Sequence, residues 1–171
     1  MIVVTGMPGS GKEEFLSVAM TMGIPFVRMG DIVRNEHGSV KSELSVGEFA
    51  DAERKKHGYN IWAKRSMEKM HGSIFLVDGC RSMAEIDAFR GLSEDVVLLA
   101  IHSPPKVRYG RLVERGRSDA PGTLAEFKER DAREIKWGIS EVIALADEMV
   151  VNDSSLEKFR KEAEILLKGL R

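Results

Sequence analysis

Short apolar runs alternate with helically periodic segments from one end of the chain to the other. The runs are Ile2 to Thr5, Pro25 to Arg28, Ile74 to Val77, Val96 to Ile101 and Met149 to Val151. Most are apolar on both parities, the pattern of strands buried on both faces of a parallel sheet. The segments between them carry helix-start signals. Ser45-x-x-Glu48, Ser82-x-x-Glu85, Thr123-x-x-Glu126 and Ser154-x-x-Glu157 have capping-box spacing, in which a hydroxyl and a carboxylate satisfy orphan N–H groups. A strand first, with helices between all the strands, predicts an α/β chain with a mainly parallel sheet.

Two intervals interrupt this rhythm. Residues 30–70 are polar, rich in charge and without a convincing strand, which predicts helices near Asp31–Glu36, Val46–Lys56 and Ile61–Met70. A helical insertion projecting from the sheet fits that stretch, and it is a natural place to bind a substrate. Residues 116–122 carry Pro121 and two glycines and read as a loop. No repeat, low-complexity tract or linker divides the chain, so residues 1–171 form one domain.

The strongest chemical signal is Gly6-Met7-Pro8-Gly9-Ser10-Gly11-Lys12. Gly-x4-Gly-Lys spacing lets backbone N–H groups wrap phosphate oxygens while the lysine ammonium reaches the β and γ positions. An apolar strand enters it and a helical stretch leaves it, as a phosphate-binding loop requires. Nucleotide binding is the expectation, with residues 6–14 lining the phosphates. The next position, where a Ser or Thr hydroxyl normally ligates Mg²⁺, holds Glu13, followed by Glu14. Glu13 can ligate Mg²⁺, or both acids can complement the dipole of the first helical turn; the two readings stand side by side.

With these residues in view, the chain resembles the adenylate-kinase-like nucleoside monophosphate kinases, and within them most of all a largely archaeal group of P-loop proteins. Gly6, Pro8, Gly9, Gly11 and Lys12 match the kinases' loop. Gly30-Asp31-x-x-Arg34 matches their Gly-Asp-x-x-Arg element, whose arginine holds the acceptor's phosphate. Val77-Asp78-Gly79 with Arg81 resembles their strand-ending Asp-Gly and second acceptor arginine, which usually stands one residue further on. The tail from Ala146 to Asn152 resembles that of dephospho-coenzyme A kinases, where the last strand and following loop border the adenine. The resemblance implies a three-layer P-loop NTPase fold with a five-stranded parallel sheet of order 2-3-1-4-5. It also implies an acceptor-binding arm at 30–70 and a short lid at 116–122.

Asp78 follows an apolar run, at the strand end where α/β sheets place ligands, and its carboxylate suits Mg²⁺; an ordinary turn with Gly79 is the plainer reading. Arg34 and Arg81 follow strand-to-helix junctions and offer bidentate forks to a phosphate. Arg108, Arg111 and Arg115 share one helix face and Arg117 follows in the loop. Such a cluster supplies cations over a transferring phosphoryl group, or else forms a solvated face paired with Glu114 and Asp119. The resulting expectation is an ATP- and Mg²⁺-dependent kinase acting on a nucleotide-like small molecule. Lys12, Asp78, Arg111, Arg115 and Arg117 would be catalytic, Asp31, Arg34 and Arg81 acceptor-binding, and Glu13 and Asp78 metal-binding. A nucleotide-binding switch without efficient turnover is the alternative, with Glu13 its best support.

Composition narrows the setting. Lys plus Arg number 26 against 27 Asp plus Glu, a net charge of −1 that argues against a generic nucleic-acid or membrane-surface binder. A lone cysteine, Cys80, excludes an internal disulfide, and the four histidines lack metal-site spacing. No apolar run is long enough to span a bilayer and no signal-peptide core precedes Thr5, so a cytoplasmic protein is expected.

Overall fold

A computed structural model describes residues 1–40, 42–70, 76–116 and 120–170. Among these residues, β1 (Ile2–Thr5), β2 (Phe26–Arg28), β3 (Leu76–Cys80), β4 (Val97–His102) and β5 (Glu148–Val151) form a five-stranded, all-parallel sheet of order 2-3-1-4-5. Helices flank it: α1 (Lys12–Thr21), α2 (Met29–Ser39), α3 (Val46–His57), α4 (Ile61–Met67), α5 (Met83–Arg90), α6 (Pro105–Arg115), α7 (Leu124–Lys136), α8 (Ile139–Ala144) and α9 (Leu156–Gly169). No helix among the described residues is long and apolar enough to cross a membrane.

The both-parity apolar strands follow from a sheet covered on each face. Side chains alternate across a strand, so Val3 packs with Val77, Leu98, Trp62, Phe89 and Trp137 on one face. Ile2 and Val4 pack with Leu99, Ile101, Phe15, Phe159 and Leu167 on the other. Each such fully buried side chain is worth about 1.5–3 kcal/mol. Trp62 and Trp137 are core residues.

Local signals land close to their expected places, with three differences. Ser45 and Glu48 form a reciprocal capping box, but Glu85 and Glu126 turn their carboxylates to the N–H groups of Arg81 and Gly122. Ser155, not Ser154, caps α9 and accepts from the Lys158 N–H, because Ser155 holds the extended backbone from which a hydroxyl reaches back into the turn. The third strand continues through Asp78 and Gly79 to Cys80, so Asp78 lies within the strand instead of just beyond it. Residues 74 and 75 of the expected run lie outside the described residues, as do Arg117 and Asp119 of the expected lid. Between β2 and β3 the described residues of 30–70 form three helices and no strand.

Candidate functional site

The C-terminal ends of β1 and β3 open into a cleft of about 420 Å³. This is where parallel α/β sheets place ligands, because loops diverge there around helix N-termini. The loop after β1 forms its floor. Gly6 and Gly11 both have positive φ, and a Cβ on either would collide, with the Ile101 carbonyl oxygen and the Asn152 amide respectively. Two backbones therefore meet at Gly6, and only glycine permits the approach.

Lys12 folds over this loop, its ammonium donating to the carbonyls of Gly6 (2.5 Å) and Met7 (3.2 Å). Burial lowers its pKa, with the nearby Asp78 carboxylate acting in the opposite sense. Asp78 is buried, and burial raises its pKa despite the charges of Lys12, Arg81 and Arg28. Among the described residues its Oδ1 has no hydrogen-bond partner, as is also true of the Ser10 hydroxyl. A buried carboxylate oxygen left without a partner costs stability unless a ligand, ion or water supplies one.

Among the residues singled out from sequence, Gly6, Pro8, Gly9, Gly11, Lys12, Glu13, Glu14, Asp78, Arg34, Arg81, Arg111 and Arg115 line this one cleft. Met7 contributes its carbonyl to Lys12, Ser10 lies buried beneath the loop, and Asp31 stands back from the lining and pairs with Arg34 at 2.5 Å. Both members of the Arg34–Asp31 pair are about half exposed, 48% and 49%, so the bond is easily exchanged for another. Arg115 reaches Glu13 at 3.4 Å, and Arg160 of α9 meets Glu14 at 2.5 Å. Arg111 donates to the Ser103 hydroxyl at 3.2 Å and to the Asn152 side-chain oxygen at 3.1 Å.

Arg108 departs from the expected basic face. It is buried, forks onto Asp131 at 2.9 and 2.6 Å, and donates to the Pro8 carbonyl at 3.1 Å. It braces the loop from behind instead of facing a ligand. The reason is its neighbours: at its level of α6, Asp131 and the Phe127 ring of α7 and the Pro8 carbonyl lie within reach of the guanidinium.

Two charged contributors, Glu134 and Arg28, were not recognised in the sequence as cleft residues. Glu134 of α7 is buried and accepts from the Arg81 Nε at 2.6 Å. Burial alone would raise its pKa, but the Arg81 charge and hydrogen bond reverse that and hold it below the ordinary glutamate value. The same pairing holds Arg81 above the usual arginine range against its own burial. The available signal was position: Glu134 lies two turns after Phe127, on the stripe of α7 that is buried. Arg28, at the end of β2, and Arg130, one turn before Glu134, line the cleft as well. Asn152, in the tail already noted, donates from its amide to the Ser10 carbonyl at 2.9 Å and so ties β5 to the loop.

Comparison with known proteins places this geometry. The chain is 43% identical over 171 residues to the UPF0200 protein of Thermoplasma volcanium, covering 98% of this chain and 96% of that one. It is 41% identical over 181 residues to a UPF0200 protein of Pyrococcus abyssi, with 99% and 96% covered. The chain belongs to the UPF0200 family. A family model described as an AAA domain matches residues 5–128, from the end of β1 into α7, so this UPF0200 member carries that P-loop domain. Among solved structures, the shikimate kinase of Bacteroides thetaiotaomicron superposes with a TM-score of 0.63 at 15% identity, covering 98% of this chain and 97% of that one. The gluconokinase of Sinorhizobium meliloti gives 0.60 at 18% identity, covering 99% and 91%. At such identities the likeness establishes the fold alone, the P-loop α/β fold that these kinases share.

Proposed function

We propose that this UPF0200 protein binds ATP in the cleft and transfers its γ-phosphoryl group to a nucleotide-like small molecule. The observation that carries this reading is one cleft in which Lys12, folded on its glycine-walled loop, faces a buried Asp78 with an unpartnered oxygen. The loop amides and Lys12 would hold the β- and γ-phosphates, Lys12 exchanging the carbonyls of Gly6 and Met7 for phosphate oxygens. Asn152 and Leu156 lie at the β5 end of the cleft, where the base would be bordered. Arg34 and Arg81 would hold the acceptor's phosphate, and Arg111, Arg115 and Arg117 would neutralise charge developing on the transferred group.

The donor set suits Mg²⁺. Asp78 offers a hard, unpartnered oxygen, and Glu13 is close enough for its charge to act on Asp78. Among the described residues no group of three or more ligating side chains is gathered, yet Mg²⁺ on a polyphosphate requires only one or two carboxylates. When bound, the ion would offset the negative charge of the phosphates. The chain's own part is to orient: backbone fixes the donor, guanidinium forks fix the acceptor, and the cleft walls limit water.

The test is ADP release with ATP, Mg²⁺ and a panel of AMP, dephospho-coenzyme A and neutral analogues. Turnover with a phosphorylated acceptor, and a raised KM with unchanged ATP affinity in Arg34→Ala, are the expected results. Loss of ATP binding in that variant would overturn the acceptor assignment. A nucleotide switch without turnover is the second reading, favoured by Glu13 replacing the usual hydroxyl and pairing with Arg115. Binding without ADP release across the panel would select it.

A further inference from the structure

The acceptor side of the cleft contains a guanidinium to which the reading above gives no role. Arg28 is the last residue of β2, at the strand end where ligands gather. It lines the cleft beside Gly30 and Arg34, and its Nε–H is buried without a hydrogen-bond partner among the described residues. Its guanidinium lies over the Phe26 ring, 5.2 Å from the centroid, which holds the fork in place without occupying its donors. The neighbouring cleft arginines on this side are differently engaged: Arg34 is paired with Asp31, and Arg81 with Glu134 and the Gly79 carbonyl.

Register sharpens the observation. Arg28 and Asp78 are direct partners across the β2–β3 pairing, and their charges act on one another. They nevertheless form no ion pair, and each retains a buried polar atom without a partner. Leaving opposite charges unbonded in adjacent positions is costly for a structural pair. It is the expected arrangement where each is kept for a ligand group of its own, a cation for the Asp78 oxygen and an anionic oxygen for the Arg28 Nε–H. Strand order says which group meets Arg28. β2 is two strands from β1, about 10 Å at the usual strand spacing, and β5 with Asn152 lies on the opposite flank. Arg28 therefore belongs to the half of the cleft away from the loop and its polyphosphate.

We propose that Arg28 is a specificity-determining residue that binds an anionic oxygen, of a phosphate or a carboxylate, on the phosphoryl acceptor. The inference rests on the kinase reading of the same cleft. It adds that the acceptor presents its anion at the β2–β3 edge, and that molecules without one are excluded because the buried Nε–H would stay unpaired. Specificity of this kind is strong, since a site built to donate to an oxygen penalises its absence.

The test uses the full chain saturated with ADP and Mg²⁺, to which AMP, shikimate or adenosine is added as the phosphate, carboxylate and neutral probe. The Arg28 Nε–H resonance, assigned by its disappearance in Arg28→Lys, is followed by nitrogen–proton spectroscopy while calorimetry reports affinity. The resonance should shift with AMP or shikimate, whichever anion the site takes, and not with ADP alone or adenosine. Arg28→Met should weaken that anionic probe about tenfold or more, the scale of a lost charged hydrogen bond, while ADP affinity stays within about twofold. Arg28→Lys keeps the charge and controls for folding, and should lose part of the affinity. Unchanged affinity for both anionic probes in Arg28→Met, or a resonance that follows ADP or adenosine, would overturn the proposal. Failure of the wild type to bind ADP would instead remove the nucleotide reading on which it stands.

Discussion

The two halves of the cleft differ in how their backbone is held. On the β1 side, side chains bind the loop's own carbonyls, Lys12 to Gly6 and Met7, Arg108 to Pro8 and Asn152 to Ser10, with the ion pairs of Arg108, Arg115 and Arg160 set around them. On the β2–β3 side, charged groups bind one another. Arg54 of α3 reaches Glu85 at 3.1 Å, Arg81 reaches Glu134, Arg34 reaches Asp31, and the Trp137 indole N–H donates to Asp51 at 2.8 Å. Carbonyl partners stay where the fold puts them, so the loop half is a frame. On the other half the Arg54–Glu85 pair is buried and fixes the wall, while the half-exposed Arg34–Asp31 pair can be exchanged for a charged ligand.

The largest test of that contrast is Arg54→Ala. Arg54 and Glu85 are both almost wholly buried, and Arg54 also stacks 4.4 Å from the Trp137 ring centroid. Removing the cation strips the buried Glu85 of its partner ion, which costs about 3–5 kcal/mol. Urea denaturation should show that loss. A change below about 1 kcal/mol would mean the acceptor half is not held by its ionic core.

On the loop half the corresponding change alters binding more than stability. Lys12→Ala should weaken ATP by about 2–3 kcal/mol, the value of hydrogen bonds from a charged donor. The folded protein should tolerate it, because the ammonium is already penalised by burial. Titration calorimetry measures the first effect and thermal melting the second. Equal ATP affinity in both proteins would remove the loop from the binding site.

Glu134 provides a pH handle on the acceptor half. Its folded-state pKa is depressed, the Arg81 charge and hydrogen bond overriding burial. It therefore contributes stability that is present above the unfolded value of 4.5 and is lost as pH falls through the lower folded value. Glu134→Gln should cost about 1–2 kcal/mol at pH 7 and flatten the acid limb of the stability curve. An acid limb as steep as that of the wild type would assign the proton uptake elsewhere.

The same contrast explains what was legible in the sequence. The loop half was readable because its determinants are contiguous: glycines at fixed spacing, a lysine, then a helix. The sheet was readable because both-parity apolar runs follow from burial on two faces, and the order 2-3-1-4-5 followed from resemblance. The acceptor half depends on meetings across long separations, Arg81 with Glu134 and Arg54 with Glu85, which no local pattern encodes. Arg28 looked like an ordinary strand end until register set it beside Asp78. Arg108 shows the converse, since helical spacing grouped it with Arg111 and Arg115 although its fork serves Asp131.

The smallest expected effect falls where the two halves touch. Glu13 stands in the loop's helix, and its carboxylate lies 3.4 Å from Arg115, a cation that the transfer reading assigns to the phosphates. Its negative charge sits in the first turn of α1. Without Mg²⁺ that charge opposes the polyphosphate and competes with it for Arg115; with Mg²⁺ it can serve as a hard oxygen ligand. Glu13→Ser should therefore strengthen metal-free ATP binding, and wild-type affinity should rise more steeply with Mg²⁺ than the variant's. The side chain is 42% exposed, so solvent screening keeps the change near or below about 1 kcal/mol. ATP affinity in EDTA and in excess Mg²⁺, for both proteins and at low and high salt, measures it. A Mg²⁺ dependence identical in the two proteins would leave Glu13 as a partner of Arg115 and of the helix dipole alone, and would move the metal to Asp78.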